Sequence, residues 1–240
     1  MSVPYGVLIG GLGAYTDGYL VSLCLTAGYQ ALAVRGVQAL FDTLSRQIDL
    51  ALIDLPDREH LAQLPEVTSH FKGILIILGP RNDRLTVEAF HYGIDDYIAR
   101  PFRADELLAR MRAHLRRYQR SMPPPFTIGP FTLDLAARRI SFNDTPLTLD
   151  LPSFALLNVL SEAPTRLFTA TELLTQVWGR AEATNVALLN TTWQHLRHQV
   201  GNAVDVLVGD VRQGFALLAP SPSPSPFLST TGRGRSRTLA

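Results

Sequence analysis

The 240-residue chain is poor in cysteine, in lysine and in long apolar runs. Cys24 is the only cysteine, so no disulfide framework exists. It sits inside the apolar run YLVSLCLTAGY, where a small buried residue is expected, not a reactive thiol. No apolar stretch approaches the roughly 18–20 residues of a membrane-spanning helix. The opening MSVPYG has neither the basic segment nor the long apolar segment of a secretory signal. Together these absences predict a soluble cytoplasmic protein. An excess of one charge is also missing: 22 basic residues face 21 acidic ones, for a formal net charge of +1. A strongly basic protein is thereby excluded. Lys72 is the only lysine, and every other basic residue is an arginine.

What is present divides the chain. The stretch QRSMPPPF places three prolines after a long basic helical pattern, which stops the helix and reads as a stiff linker. The last stretch, APSPSPSPFLSTTGRGRSRTLA, is too rich in Ser, Pro, Gly and Arg to bury a core. The expected organisation is a first domain over residues 1–118, a linker over 119–125, a second domain over 126–220 and a disordered tail over 221–240.

Apolar runs in the first domain (GVLIG, ALAV, LALID, GILIIL and DDYIA) alternate with helical patterns. The helices are expected near Tyr15–Ala27, Gly36–Gln47, Asp57–Gln63, Asp83–Tyr92 and Arg103–Tyr118. Continuous apolar strands between helices predict an α/β, flavodoxin-like doubly wound domain with a parallel sheet covered on both faces. In such a fold ligands and chemistry sit at the carboxyl ends of the strands. The second domain begins with short alternating runs, FTLDLAARRISFN and TPLTLDLP. Helical patterns follow at Pro152–Glu162, Ala170–Trp178 and Thr184–Val200, and VDVLVGDVRQGFALLAP closes it as a hairpin. That layout predicts a winged helix-turn-helix domain.

The first strand runs into YGVLIGGLGAYTDG, a glycine-rich turn that invites a phosphate-binding reading. A dinucleotide fingerprint fails here, because Thr16 stands where the third glycine belongs. Arg35, not an acid, closes the second strand. A nucleotide-dependent enzyme is therefore the last-ranked reading.

DLALIDLP, which ends the third strand with Asp54, is followed by YGIDDYIARPF. These two stretches resemble the receiver domain of bacterial response regulators. In the second domain, ELLTQVWG and LLNTTWQHLRHQVG resemble the helix-turn-helix core of the OmpR/PhoB class. The resemblance runs from Val7 to about Pro220, in that family's domain order.

It implies phosphoryl transfer to an aspartate, assisted by Mg²⁺. Asp54 matches the acceptor. The acidic pair that would hold the metal falls on Gly10 and Gly11, the hydroxyl position on Gly79 and the lysine position on Arg100. The loop after Asp54 is shorter than the family's. A single carboxylate holds Mg²⁺ poorly, whereas the Arg100 fork can pair with Asp54 directly. The expected receiver is thus degenerate, binds no metal or cofactor, and has no catalytic turnover. Tyr97 fills the aromatic switch position and is expected to be fixed packing. A homodimer is expected through the face that carries Glu88, Phe90, Asp95, Asp96, Glu106 and Arg110.

Within the Thr184–Val200 pattern, Val186, Leu189, Trp193, Leu196 and Val200 recur at steps of three and four, which predicts a stripe facing the core. The opposite face carries Ala187, Thr191, Gln194, His195 and His198, with Asn190 and Arg197 at its edge. Gln, Thr, His and Arg are side chains that reach base edges. Arg212, in VRQGF, stands where a wing contact to the DNA backbone would be, although the family's usual V-R-G-x-G-Y has one more glycine. Against this, residues 126–220 hold six arginines and eight acids, a formal net charge of −2. Phosphate contacts supply most non-specific affinity, so one head alone should bind double-stranded DNA weakly. Two heads in a dimer raise affinity through effective concentration. The tail arginines Arg233, Arg235 and Arg237 are a further source of phosphate contacts.

The sequence thus predicts a sequence-specific DNA-binding transcriptional regulator of the two-component type, working without phosphorylation. Two rivals stand beside it: a small-metabolite sensor using the degenerate receiver pocket, and a protein–protein adaptor docking RNA polymerase or another regulator.

Overall fold

The computed structural model describes residues 2–11, 17–36, 39–40, 43, 47–179, 185–201 and 206–218. The predicted tail, with its three arginines, and much of the predicted Gly36–Gln47 helix lie outside the described residues.

Five parallel strands form the first sheet: β1 (Gly6–Gly11), β2 (Gln30–Arg35), β3 (Leu50–Asp54), β4 (Ile74–Pro80) and β5 (Asp96–Arg100), in the order β2-β1-β3-β4-β5. This is the flavodoxin-like doubly wound order. Successive side chains of a strand point to opposite faces, and here both faces are apolar. Val7, Ile9, Leu50, Leu52, Ile74 and Ile76 pack under α1 (Asp17–Thr26) and under α4 (Ala104–Ser121), which contributes Leu107, Met111 and Leu115. Leu8, Ala51, Ile53, Leu75 and Ile77 face the other way. There they meet Leu40, the 3₁₀ turn Glu59–Gln63, α2 (Leu64–His70) and α3 (Asp83–His91).

Two helical spans depart from the sequence reading. The helix expected near Asp57–Gln63 is that 3₁₀ turn, and the α-helix α2 begins only at Leu64, with Pro65 in its first turn, where proline costs nothing. Helix α4 continues through Ser121, past its expected end at Tyr118.

An antiparallel sheet of four strands follows: β6 (Phe126–Ile128), β7 (Phe131–Asp134), β8 (Arg139–Phe142) and β9 (Thr145–Pro146). Three helices come next: α5 (Leu151–Glu162), α6 (Ala170–Trp178) and α7 (Asn185–Gln199). The hairpin β10 (Leu207–Asp210) and β11 (Gly214–Leu217) closes the domain. Asp150 caps α5 by accepting from Ser153 N. Thr169 and Glu172 form a reciprocal capping box on α6, and Gly179 ends that helix in the left-handed region. Leu189, Trp193, Leu196 and Val200 are buried and Val186 is half-buried, so the predicted stripe of α7 faces the core. The Trp193 ring meets Phe215 of the hairpin edge to face, 4.9 Å between centroids. A bridge between Phe168 and Phe215 holds the hairpin against the start of α6. This is a winged helix-turn-helix layout. No helix among the described residues is long and apolar enough to cross a membrane.

Candidate functional site

The carboxyl ends of β1, β3, β4 and β5 meet at one edge of the first sheet. Register places Gly11 beside Asp54, and Gly79 beside Ala99, one residue before Arg100. Asp54 is buried, with its side chain 5% exposed. Its Oδ1 accepts from Nη2 of Arg100, and the same nitrogen donates to the carbonyl of Leu78 at 3.0 Å. The guanidinium therefore ties the ends of β3, β4 and β5 together. A carboxylate so held has its charge balanced inside the chain.

Neighbouring side chains stand where a β-carbon on Gly10 or Gly79 would lie. A β-carbon on Gly10 would stand 2.7 Å from Cδ1 of Leu40, a contact that real β-carbons do not make. A β-carbon on Gly79 would overlap the Tyr97 hydroxyl. Tyr97 is itself buried and donates to the carbonyl of Pro80 at 2.8 Å. Burial pushes the Tyr97 hydroxyl above its ordinary pKa, so it remains a donor at neutral pH. These residues do not fit a Mg²⁺ ion. The carboxylate of Asp54 is already held by an arginine, and among the described residues no group of three His, Cys, Asp or Glu converges. Leu40 escaped the sequence reading, since nothing in a one-dimensional pattern says which helix turn fills a glycine's empty side.

The predicted dimer-face residues are placed together around α3, β5 and α4. Their charges are engaged within the chain: Arg110 with Asp96 (3.2 Å) and Glu106 (3.1 Å), and Asp95 with Leu75 N (2.8 Å). Glu88 accepts from Arg58 Nη2 at 2.8 Å, which holds its carboxyl below the usual range. Phe90 remains 46% exposed.

On α7, Asn190, Thr191, Gln194 and His198 are exposed, and His195 and Arg197 are half-buried. Thr191 Oγ1 donates back to the carbonyl of Ala187 at 2.9 Å. Arg212 is exposed at the tip of the hairpin, where Asp210 Oδ1 accepts from its backbone N–H at 2.7 Å. The tight turn of this wing is thus built by an aspartate, without the family's extra glycine. One helix face and one hairpin tip therefore present polar side chains to solvent, the geometry of a helix-turn-helix reading head with its wing.

A family model described as "Transcriptional regulatory protein, C terminal" matches residues 144–217. DNA-binding response regulator MtrA of Mycobacterium tuberculosis is 32% identical over 168 residues, which cover 69% of this chain and 74% of that protein. The chain belongs to the OmpR/PhoB-type response regulators. Protein RcaC of Microchaete diplosiphon is 28% identical over 201 residues, 81% of this chain but only 31% of that much longer protein. Among solved structures, the response regulator DrrB, a Thermotoga maritima OmpR/PhoB homolog, aligns over 90% of this chain and 100% of its own. Its sequence identity is 16% and its TM-score 0.39. As a DNA-binding response regulator the chain carries a receiver-like parallel-sheet domain followed by a C-terminal DNA-binding domain.

Proposed function

We propose that this response regulator controls transcription without aspartyl phosphorylation and without Mg²⁺, binding double-stranded DNA as a homodimer. The observation that carries this reading is the Arg100–Asp54 ion pair: the acceptor carboxylate is already neutralised by the chain's own guanidinium. The filled Gly10 and Gly79 corners support it, because neither position offers a metal ligand or a hydroxyl. Tyr97, seated over Gly79, has no phosphoryl-driven movement to follow and serves as packing. Base edges are read by Gln194, Thr191, Asn190 and His198, with His195 and Arg197 flanking them, while Arg212 meets the backbone of the duplex. Val87, Phe90 and Tyr92 are 55%, 46% and 38% exposed, which supports an apolar dimer contact on that face.

Metabolite sensing at the strand ends is the weaker reading. A cavity of about 260 Å³ near the strand ends is lined, among the described residues, by the charged side chains of Asp57, Arg58, Arg84 and Glu88, whose ion pairs engage one another or close neighbours. The test is incubation of the full chain with acetyl phosphate and Mg²⁺, followed by intact mass and peptide mapping. An unmodified Asp54 is expected. A stable acylphosphate on Asp54 would overturn the reading.

A further inference from the structure

The opposite, amino end of the receiver sheet carries a second buried ion pair, and this one joins the two domains. Arg138 lies in the turn between β7 and β8 of the winged-helix domain, at φ 53°, a region that residues other than glycine seldom adopt. That turn is shaped by Asp134 Oδ1, which accepts from Ala137 N at 2.8 Å. The turn aims Arg138 away from its own sheet, and the side chain is 7% exposed. Its neighbour Arg139 faces solvent.

All three guanidinium nitrogens of Arg138 are used on the receiver. Nη1 donates to Asp49 Oδ1 at 2.6 Å, Nε to the carbonyl of Val3 at 2.9 Å, and Nη2 to the carbonyl of Pro4 at 3.1 Å. The other Asp49 oxygen accepts from Gly6 N at 2.8 Å, so the carboxylate also fixes the entry of β1. The cation sits between two rings, one from each domain: Tyr5 at 4.7 Å and Phe154 at 4.8 Å. Around it, Val3 N donates back to the carbonyl of Arg138 at 3.1 Å, and Val3 packs into the winged-helix core. Some distance along the seam, Gln47 Nε2 donates to the carbonyl of Val177 at the end of α6.

We propose that the amino end of the receiver sheet is a docking surface for the chain's own winged-helix domain, with Arg138 as its linchpin. Receiver and reading head then move as one rigid body, and the Met122–Pro125 linker is not a free hinge. Three features carry this. The pair is desolvated on both sides, with Asp49 9% exposed, so each charge depends on the other domain to be satisfied. A guanidinium with three directed donors and two ring faces fixes orientation, which a hydrophobic contact alone would not. The docked arrangement leaves Asn190, Thr191, Gln194 and His198 exposed, so it does not cover the reading face. The inference stands independently of whether the receiver is phosphorylated.

The chain carries its own reporters for a test. Both tryptophans, Trp178 and Trp193, lie in the winged-helix domain, whereas Cys24 is buried in the receiver core. Urea unfolding of the full chain is followed by tryptophan fluorescence and by Cys24 labelling with Ellman's reagent. The two midpoints are expected to coincide within about 0.2 M, and Arg138→Ala is expected to separate them by roughly 0.5 M or more. Should Arg138→Ala not fold, Arg138→Lys serves, because lysine cannot reproduce the three-way fork. NMR relaxation of the folded full chain is the second readout. One rotational correlation time for both domains is expected, becoming two in the variant. Separate midpoints in the natural protein, two correlation times before substitution, or an unchanged variant would each overturn the proposal.

Discussion

Arg100→Ala is the perturbation that most exposes the design of the receiver corner. It removes the guanidinium from Asp54, whose side chain is 5% exposed, while Arg100 itself is 30% exposed. Deleting one partner of a buried pair costs about 3–5 kcal/mol, since the remaining charge is stranded in low dielectric. Arg100 is partly wet, which places this case near the low end, about 3 kcal/mol. The same substitution also removes one of the two donors to the carbonyl of Leu78, which keeps its bond from Leu55 N at 2.9 Å. For a protein of this size each kcal/mol moves the midpoint of thermal unfolding by roughly 2–4 °C, so a fall of about 6–12 °C is expected. Asp54→Asn keeps an acceptor oxygen for the guanidinium and should cost only about 1 kcal/mol. The double variant Asp54→Ala, Arg100→Ala should be more stable than the two single losses summed, with a coupling of about 2 kcal/mol. Differential scanning calorimetry of the parent, Asp54→Ala, Arg100→Ala and the double variant closes the cycle. An Arg100→Ala midpoint within about 1 °C of the parent would refute the claim that this pair holds the corner.

Other consequences follow from the same geometry. Gln194→Ala should change preference at one base pair by about 1–3 kcal/mol, whereas Arg212→Ala should weaken binding alike on all sequences and lower the salt slope by about 1; parallel titrations on an operator and a scrambled duplex separate the two. Gly79→Thr should destabilise by roughly 1–3 kcal/mol, because its side chain must displace the Tyr97 ring, and chemical unfolding of the variant measures it. Burial raises the Cys24 thiol to about 11, so at pH 8 it stays protonated and shielded; Ellman's reagent should react with it only after unfolding, and prompt labelling of the folded chain would contradict its place in the core.

The alternation of apolar strands with amphipathic helices made the doubly wound sheet legible, because burial on both faces leaves no other use for runs such as GILIIL. Asp54 and Arg100 were legible as partners for a different reason. The family resemblance sets the two at the acceptor and lysine positions of one strand-end corner, and a guanidinium fork matches a carboxylate. The start of α2 was hidden by Pro65, which reads as a breaker inside a helix but is neutral in its first turn. Leu40 and the interdomain seam could not be read at all. Arg138 and Arg139 are adjacent and chemically identical, and only the left-handed turn decides that one is sealed between domains while the other meets water. Asp49 likewise reads as one more polar residue before a strand until Arg138 arrives from another domain.

A receiver corner that is complete without a phosphoryl group leaves DNA affinity independent of a phosphoryl analogue. This is tested most directly by titrating the full chain onto the DNA upstream of its own coding region at fixed salt, with and without Mg²⁺ and beryllofluoride. The same dissociation constant is expected in both arms, within about twofold. A tenfold or greater tightening with beryllofluoride, lost in Asp54→Asn, would contradict it.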